Sequence, residues 1–194
     1  MRTLTNRFIV ALILILAGNM ASAESQGLDD VLMKSKAGCM TGPMAQFGRY
    51  IGDWDIADQT LQQDGKTWVA GNGARWNFTC VGDGIAVQDF WMPNGAEGSP
   101  PPGVGTNLRI YDPENQRWEV TWTATRAPGQ THIQAKADES GNMVMHYVSP
   151  AQNPPRRIIF FSPTDEGWNW VMELSFDNEK TWTPVYKIKA TLRD

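Results

Sequence analysis

The sequence predicts an all-β protein, an antiparallel up-and-down β-barrel of about ten strands preceded by a short N-terminal helix. Three observations carry this. Apolar and polar residues alternate with a period of two, most cleanly over Ala74–Cys80 and Trp118–Thr125. Clusters such as Gln63-Asp64-Gly65-Lys66 and Gly82-Asp83-Gly84 punctuate these runs at short intervals. Almost no chain is left for crossover helices, so consecutive strands are antiparallel neighbours. A meander of this length must close or pair as a sandwich to hide its edges. Short turns with no long Greek-key return favour the barrel.

Residues 1–23 read as an export signal. Arg2 and Arg7 give a positive start, Phe8–Gly18 an apolar centre and Ala21-Ser22-Ala23 an A-x-A cleavage site. The apolar run is shorter than the roughly 20 residues a membrane-spanning helix needs. The expected mature chain is therefore periplasmic or secreted, with no membrane span, and begins at Glu24. It divides into a leader with a short helix, residues 24–46, and a barrel domain, residues 47–194. Loss of Arg2 and Arg7 takes the formal net charge from −4 to −6, which argues against a nucleic-acid partner. Cys39 and Cys80 are the two cysteines. In an oxidising compartment they are expected to form a disulfide, worth roughly 4 kcal/mol in the chain-entropy model.

Leu28, Val31 and Leu32 form one apolar edge of a helix expected within Ser25–Lys36, which Gly38, Gly42 and Pro43 end. The strand-rich region opens at Phe47–Ile56, with the first strand over about Gly52–Leu61. This strand has to be the clasp of the barrel, pairing with its successor and with the last strand, Thr181–Thr191; Trp54 would then plug the barrel end. Thr67–Ala70 follows as a short strand, interrupted at Gly71-Asn72-Gly73. Ala74, Trp76, Phe78 and Cys80 share one face of the next strand, and Ile85, Val87, Asp89 and Trp91 one face of its successor. Asn94–Gly105 is a Gly/Pro loop, and Leu108–Tyr111 is a strand. Arg117–Arg126 turns Trp118, Val120, Trp122 and Ala124 to one side. After a turn at Ala127–Gln130 come Thr131–Lys136, Asn142–Val148, Arg156–Phe161 and Trp168–Ser175.

All nine tryptophans lie in the expected mature chain. Shared strand faces make Trp54, Trp76, Phe78, Trp118, Trp122 and Trp170 the candidate lining of an aromatic cavity, and a small hydrophobic or planar ligand the expected partner. No catalytic residue is assigned, and no cofactor or metal is expected. His132 and His146 fall on neighbouring strands but lack a metal-binding spacing. Asp53 and Asp55 share a face, and Arg109 and Glu119 suggest a cross-strand ion pair. A cavity enzyme acting on a lipid or isoprenoid-like substrate, and a protein-interaction module, are the alternative functions.

Several motifs, in this order, carry a family likeness: Ile51-Gly-Asp-Trp54, Ala74–Phe78 with Gly82–Trp91, Leu108-Arg-Ile-Tyr-Asp-Pro113, Trp118-Glu-Val-Thr-Trp122 and Ser175–Trp182. Together they resemble a group of uncharacterised bacterial lipocalin-like proteins, related in fold to the nitrobindin and fatty-acid-binding barrels. The resemblance implies a barrel of about ten strands with a ligand-sized interior. Nitrobindin-like haem proteins hold iron with a histidine near the C-terminus; here Tyr186-Lys-Ile-Lys189 occupies that region. Ser175–Trp182 also resembles the Asp-box hairpin of sialidase-type propellers, with Glu179 where glycine is usual. It occurs once, so an Asp-capped turn is the reading taken.

Overall fold

A computed structural model describes residues 36–193. The export signal, and all of the expected Ser25–Lys36 helix except Lys36, fall outside the described residues. Two short 3-10 turns, Gly38–Met40 and Gly42–Met44, lead into a single-turn helix, α1 (Ala45–Gly48). Eleven strands follow: β1 (Gly52–Leu61), β2 (Trp68–Ala70), β3 (Ala74–Val81), β4 (Ala86–Pro93), β5 (Gly105–Asp112), β6 (Arg117–Ala124), β7 (Ala127–Ala137), β8 (Met143–Ser149), β9 (Arg156–Phe161), β10 (Gly167–Leu174) and β11 (Thr183–Leu192).

Each strand from β3 to β11 pairs antiparallel with the next, and β1 pairs with β3 on one side and β11 on the other. The result is a closed ten-strand barrel, with β2 as an extra strand along the far half of β1. Closure follows the expected seam, with Trp54 opposite Leu192 and Thr60 opposite Tyr186. No helix among the described residues is long and apolar enough to cross a membrane.

Three local readings are corrected. The strand-rich region opens at Gly52 rather than at Phe47: Phe47 lies in α1, and both it and Tyr50 are fully buried, because the chain turns inward before β1 starts. Ile85 is 71% exposed in the β3–β4 turn rather than on the inner face, since β4 begins at Ala86. Ala127–Gln130 belongs to β7: Ala124 opposes Ala127, which leaves Thr125-Arg126 as the turn.

The core gathers at one end of the barrel. Phe47 meets Trp118 edge-on at 5.0 Å, Tyr50 meets Trp168 at 5.5 Å, and Phe78 and Phe160 pack among them. Such pairs add to the burial term through the ring quadrupoles. Burial pushes the Tyr50 phenol up to about 12, against the lowering effect of Arg49. The Cys39–Cys80 disulfide fastens the leader to β3 beneath this cluster. Substituting both cysteines with alanine is expected to cost about 2–4 kcal/mol, because a loop of some 40 residues is freed in the unfolded chain. Urea unfolding of the oxidised protein and the double variant, compared by midpoint and slope, measures that difference.

Candidate functional site

Antiparallel connectivity sorts the turns between the two barrel ends. The turns 82–85, 113–116, 138–142 and 162–166 lie at the end sealed by α1 and the ring cluster. The connections 62–73, 94–104, 125–126, 150–155 and 175–182 gather at the other. Beneath this second end lies a cavity of about 250 Å³.

Its wall carries four indoles, Trp76, Trp91, Trp122 and Trp170, together with Phe160 and the aliphatic side chains of Ile133, Met145, Ile158, Met172 and Ile188. Each projects inward because it keeps the inner parity of its strand. Trp76 packs edge-on against Trp91 at 4.9 Å, and Trp170 against Tyr186 at 5.7 Å. Gly105 makes room for Trp122: a Cβ built on it would overlap that indole. Tyr186 is tied to β1 by donating its hydroxyl to Asp58 Oδ2 at 2.7 Å. Burial, and then its bond to the Asp58 carboxylate, raise the pKa of that hydroxyl.

Of the six side chains singled out by strand face, Trp76, Trp122 and Trp170 line the cavity. Trp54, Phe78 and Trp118 sit in the sealed end. Trp54 Nε1 donates to the Tyr50 carbonyl at 2.7 Å, and Trp118 Nε1 donates to Gln46 Oε1 at 2.9 Å. Their strands lead the right way, but their positions along the barrel axis put them below the cavity. Trp91, Asn107, Arg109, Tyr147 and Tyr186 line it without having been chosen. The signal was parity: Asn107, Arg109 and Tyr111 alternate with exposed Leu108 and Ile110.

Arg109 is the main departure. It does not pair with Glu119. It lies 1% exposed at the inner face, where its guanidinium forms an ion pair with fully buried Asp89. Asp89 also accepts from the Asn107 backbone N–H at 3.2 Å and from Asn107 Nδ2 at 3.0 and 3.2 Å. The guanidinium carbon stands 4.9 Å from the Phe47 ring centre and 5.0 Å from that of Phe78. Desolvation is thereby offset by one carboxylate and two aromatic faces. Glu119 points outward instead, to Arg117 at 2.6 Å and His132 at 2.5 Å.

Asp53 pairs with Arg75, and Asp55 with Arg193, so neither acts as half of a carboxylate pair. His132 aligns with Ser149, while His146 opposes Gln134 and lies 6.2 Å from the Trp182 ring. No cluster of three or more metal-type side chains occurs among the described residues. Burial lowers the His146 pKa; Glu179 opposes this and Arg157 adds to it. The folded state therefore prefers the neutral ring. Its contribution is full above the unfolded-state value of about 6.5 and is lost as pH falls from there through the lower folded-state value. His146→Gln should consequently shrink the drop in Tm between pH 7 and pH 5, read by calorimetry at both pH values.

The 175–182 connection is an Asp-capped turn. Asp177 Oδ1 accepts from Thr181 N at 2.8 Å and Asp177 Oδ2 from Thr181 Oγ1 at 2.7 Å, while Glu179 N donates to Ser175 Oγ at 2.8 Å. Glu179 takes φ +64°, the left-handed conformation that glycine supplies in the Asp box. Outside the barrel, Trp182 lies under the Arg157 guanidinium at 4.4 Å.

No family model and no curated protein matches the chain. Among solved structures, it is similar to the S-type phycobiliprotein lyase of Guillardia theta, with a TM-score of 0.53 at 11% identity, over 82% of this chain and 97% of that one. At that identity the likeness is one of fold.

Proposed function

We propose that this chain is an exported lipocalin-like protein that binds a small hydrophobic or planar molecule in the open half of its barrel. The observation that carries the reading is the cavity of about 250 Å³ walled by four indoles, at the end opposite the sealed core. Ligand pockets are concave, mostly apolar and furnished with a few fixed polar groups, typically over about 300–1,000 Å³. This one, at about 250 Å³, falls just below that range, so it suits a compact ligand, or one part of a longer ligand whose remainder lies in the mouth. Trp76, Trp91, Trp122 and Trp170 are the contact residues. Export is supported by the leader composition of residues 1–23 and by the disulfide. The likeness to the phycobiliprotein lyase supports the barrel alone and does not choose the ligand.

Binding is favoured over catalysis because the one histidine–carboxylate ion pair among the described residues, His132–Glu119, lies on the outer wall. The test is titration of the mature chain, residues 24–194, with fatty acids, retinoids and haem, read by tryptophan fluorescence and checked by calorimetry. Saturable quenching that is lost in Gly105→Leu, whose side chain overlaps the Trp122 indole and displaces it from its place in the wall, supports the reading. The absence of saturable binding by any member overturns it.

A further inference from the structure

Three buried nitrogens of cavity-lining side chains make no hydrogen bond: Arg109 Nη1, which faces Asp89 as an ion pair, and Arg109 Nε and Trp76 Nε1, which face no counter-charge. Arg109 is 1% exposed and Trp76 5% exposed. Buried donors are rarely left so, and each needs an explanation. The Asp89 carboxylate does not serve Nε or Trp76 Nε1: it faces Arg109 Nη1 as an ion pair and accepts its hydrogen bonds from Asn107. That pairing also cancels the guanidinium charge in place. The inner wall therefore offers unpaired hydrogen-bond donors, no compensating charge and aromatic faces on several sides.

These features discriminate among ligand chemistries. A carboxylate would bring one uncompensated negative charge into a site that is already neutral. An ammonium group has only donors and would meet donors. A plain hydrocarbon fills the space but leaves both N–H groups unpaired. An uncharged carbonyl oxygen accepts from such donors without adding charge, and a flat ring system attached to it fits among the indoles.

Resting on the reading of this cavity as a ligand site, we propose that its ligand class is an uncharged planar carbonyl compound, an aromatic ketone or quinone. Its oxygen accepts from Arg109 Nε and Trp76 Nε1, and its ring lies against Trp91, Trp122 and Trp170.

The test is calorimetric titration of the mature chain at pH 7 with three probes that share one ring system: 1-acetylnaphthalene, 1-ethylnaphthalene and 1-naphthoate. The ketone should bind about tenfold more tightly than the hydrocarbon, as one recovered hydrogen bond to a buried donor implies. Naphthoate should bind no more tightly than the hydrocarbon. Trp76→Phe keeps a ring and removes one N–H, so the ratio of ketone to hydrocarbon affinity, taken within the variant, should fall about fivefold. If the hydrocarbon equals the ketone, or naphthoate binds best, the carbonyl inference is overturned and the cavity reading stands. If none of the three binds while a member of the wider panel does, the carbonyl inference again fails alone. If nothing binds at all, both fall. Should Trp76→Phe not fold, the comparison of three probes on the unaltered chain decides.

Discussion

Trp54→Ala is expected to destabilise the protein by about 3–5 kcal/mol, the range for deleting a fully buried large aromatic. The ring is 2% exposed and sits at the seam, opposite Trp76 on β3 and Leu192 on β11. It meets Trp168 edge-on at 5.8 Å. Its Nε1–H also holds the Tyr50 carbonyl, which fixes how the chain leaves α1 and enters the first strand. Alanine removes the ring volume, the ring contact and that hydrogen bond together. Trp54→Phe keeps most of the volume and loses the bond, at a cost nearer 1 kcal/mol. Urea unfolding followed by far-UV circular dichroism separates these cases, because it does not depend on the tryptophan being removed. A loss well under 1 kcal/mol for Trp54→Ala, the range of exposed positions, would show that the seam does not depend on this ring.

Asp89→Ala is expected to cost about 3–5 kcal/mol as well, by a different route. The substitution deletes little volume but strands the buried Arg109 guanidinium, and it frees the Asn107 amide that Asp89 accepts from. The double variant Asp89→Leu, Arg109→Met removes both charges, and should recover most of the loss, since apolar replacement of a buried ion pair is often neutral. The coupling energy from the four-member cycle, measured by urea unfolding, checks this. Additive losses from the two single changes would mean that the pair is not what holds Arg109 inside.

Much of the fold was readable from local pattern. The alternation in Ala74–Cys80 and Trp118–Ala124 gave the inner faces of β3 and β6 correctly, and the bounds of β1 and its pairing with the last strand emerged as expected. Periodicity identifies the face a residue is on, but it carries no information on height along the barrel axis. That is why Trp76 and Trp122 line the cavity while Trp118, on the same face of the same strand as Trp122, lies in the sealed end. The burial of Phe47 and Tyr50 was not legible because it depends on a single turn of helix, too short to show a period of its own. Arg109 was misread for a physical reason. Charge argued for the outside and parity for the inside, and parity won because Asp89 on the neighbouring strand supplies the counter-charge.

The seam has one more consequence. Arg193 and Asp55 meet across a separation of 138 residues, and the two strands that close the barrel are the first and the last in chain order among the described residues. Until β11 is complete, β1 offers a bare edge to that side, so the barrel cannot close before the last of the described strands is made. Pairings this distant pay their loop-closure entropy late and make folding slow. Closure of the barrel is therefore the last pairing the described strands can make, after each of the neighbouring hairpins has had its chance to form.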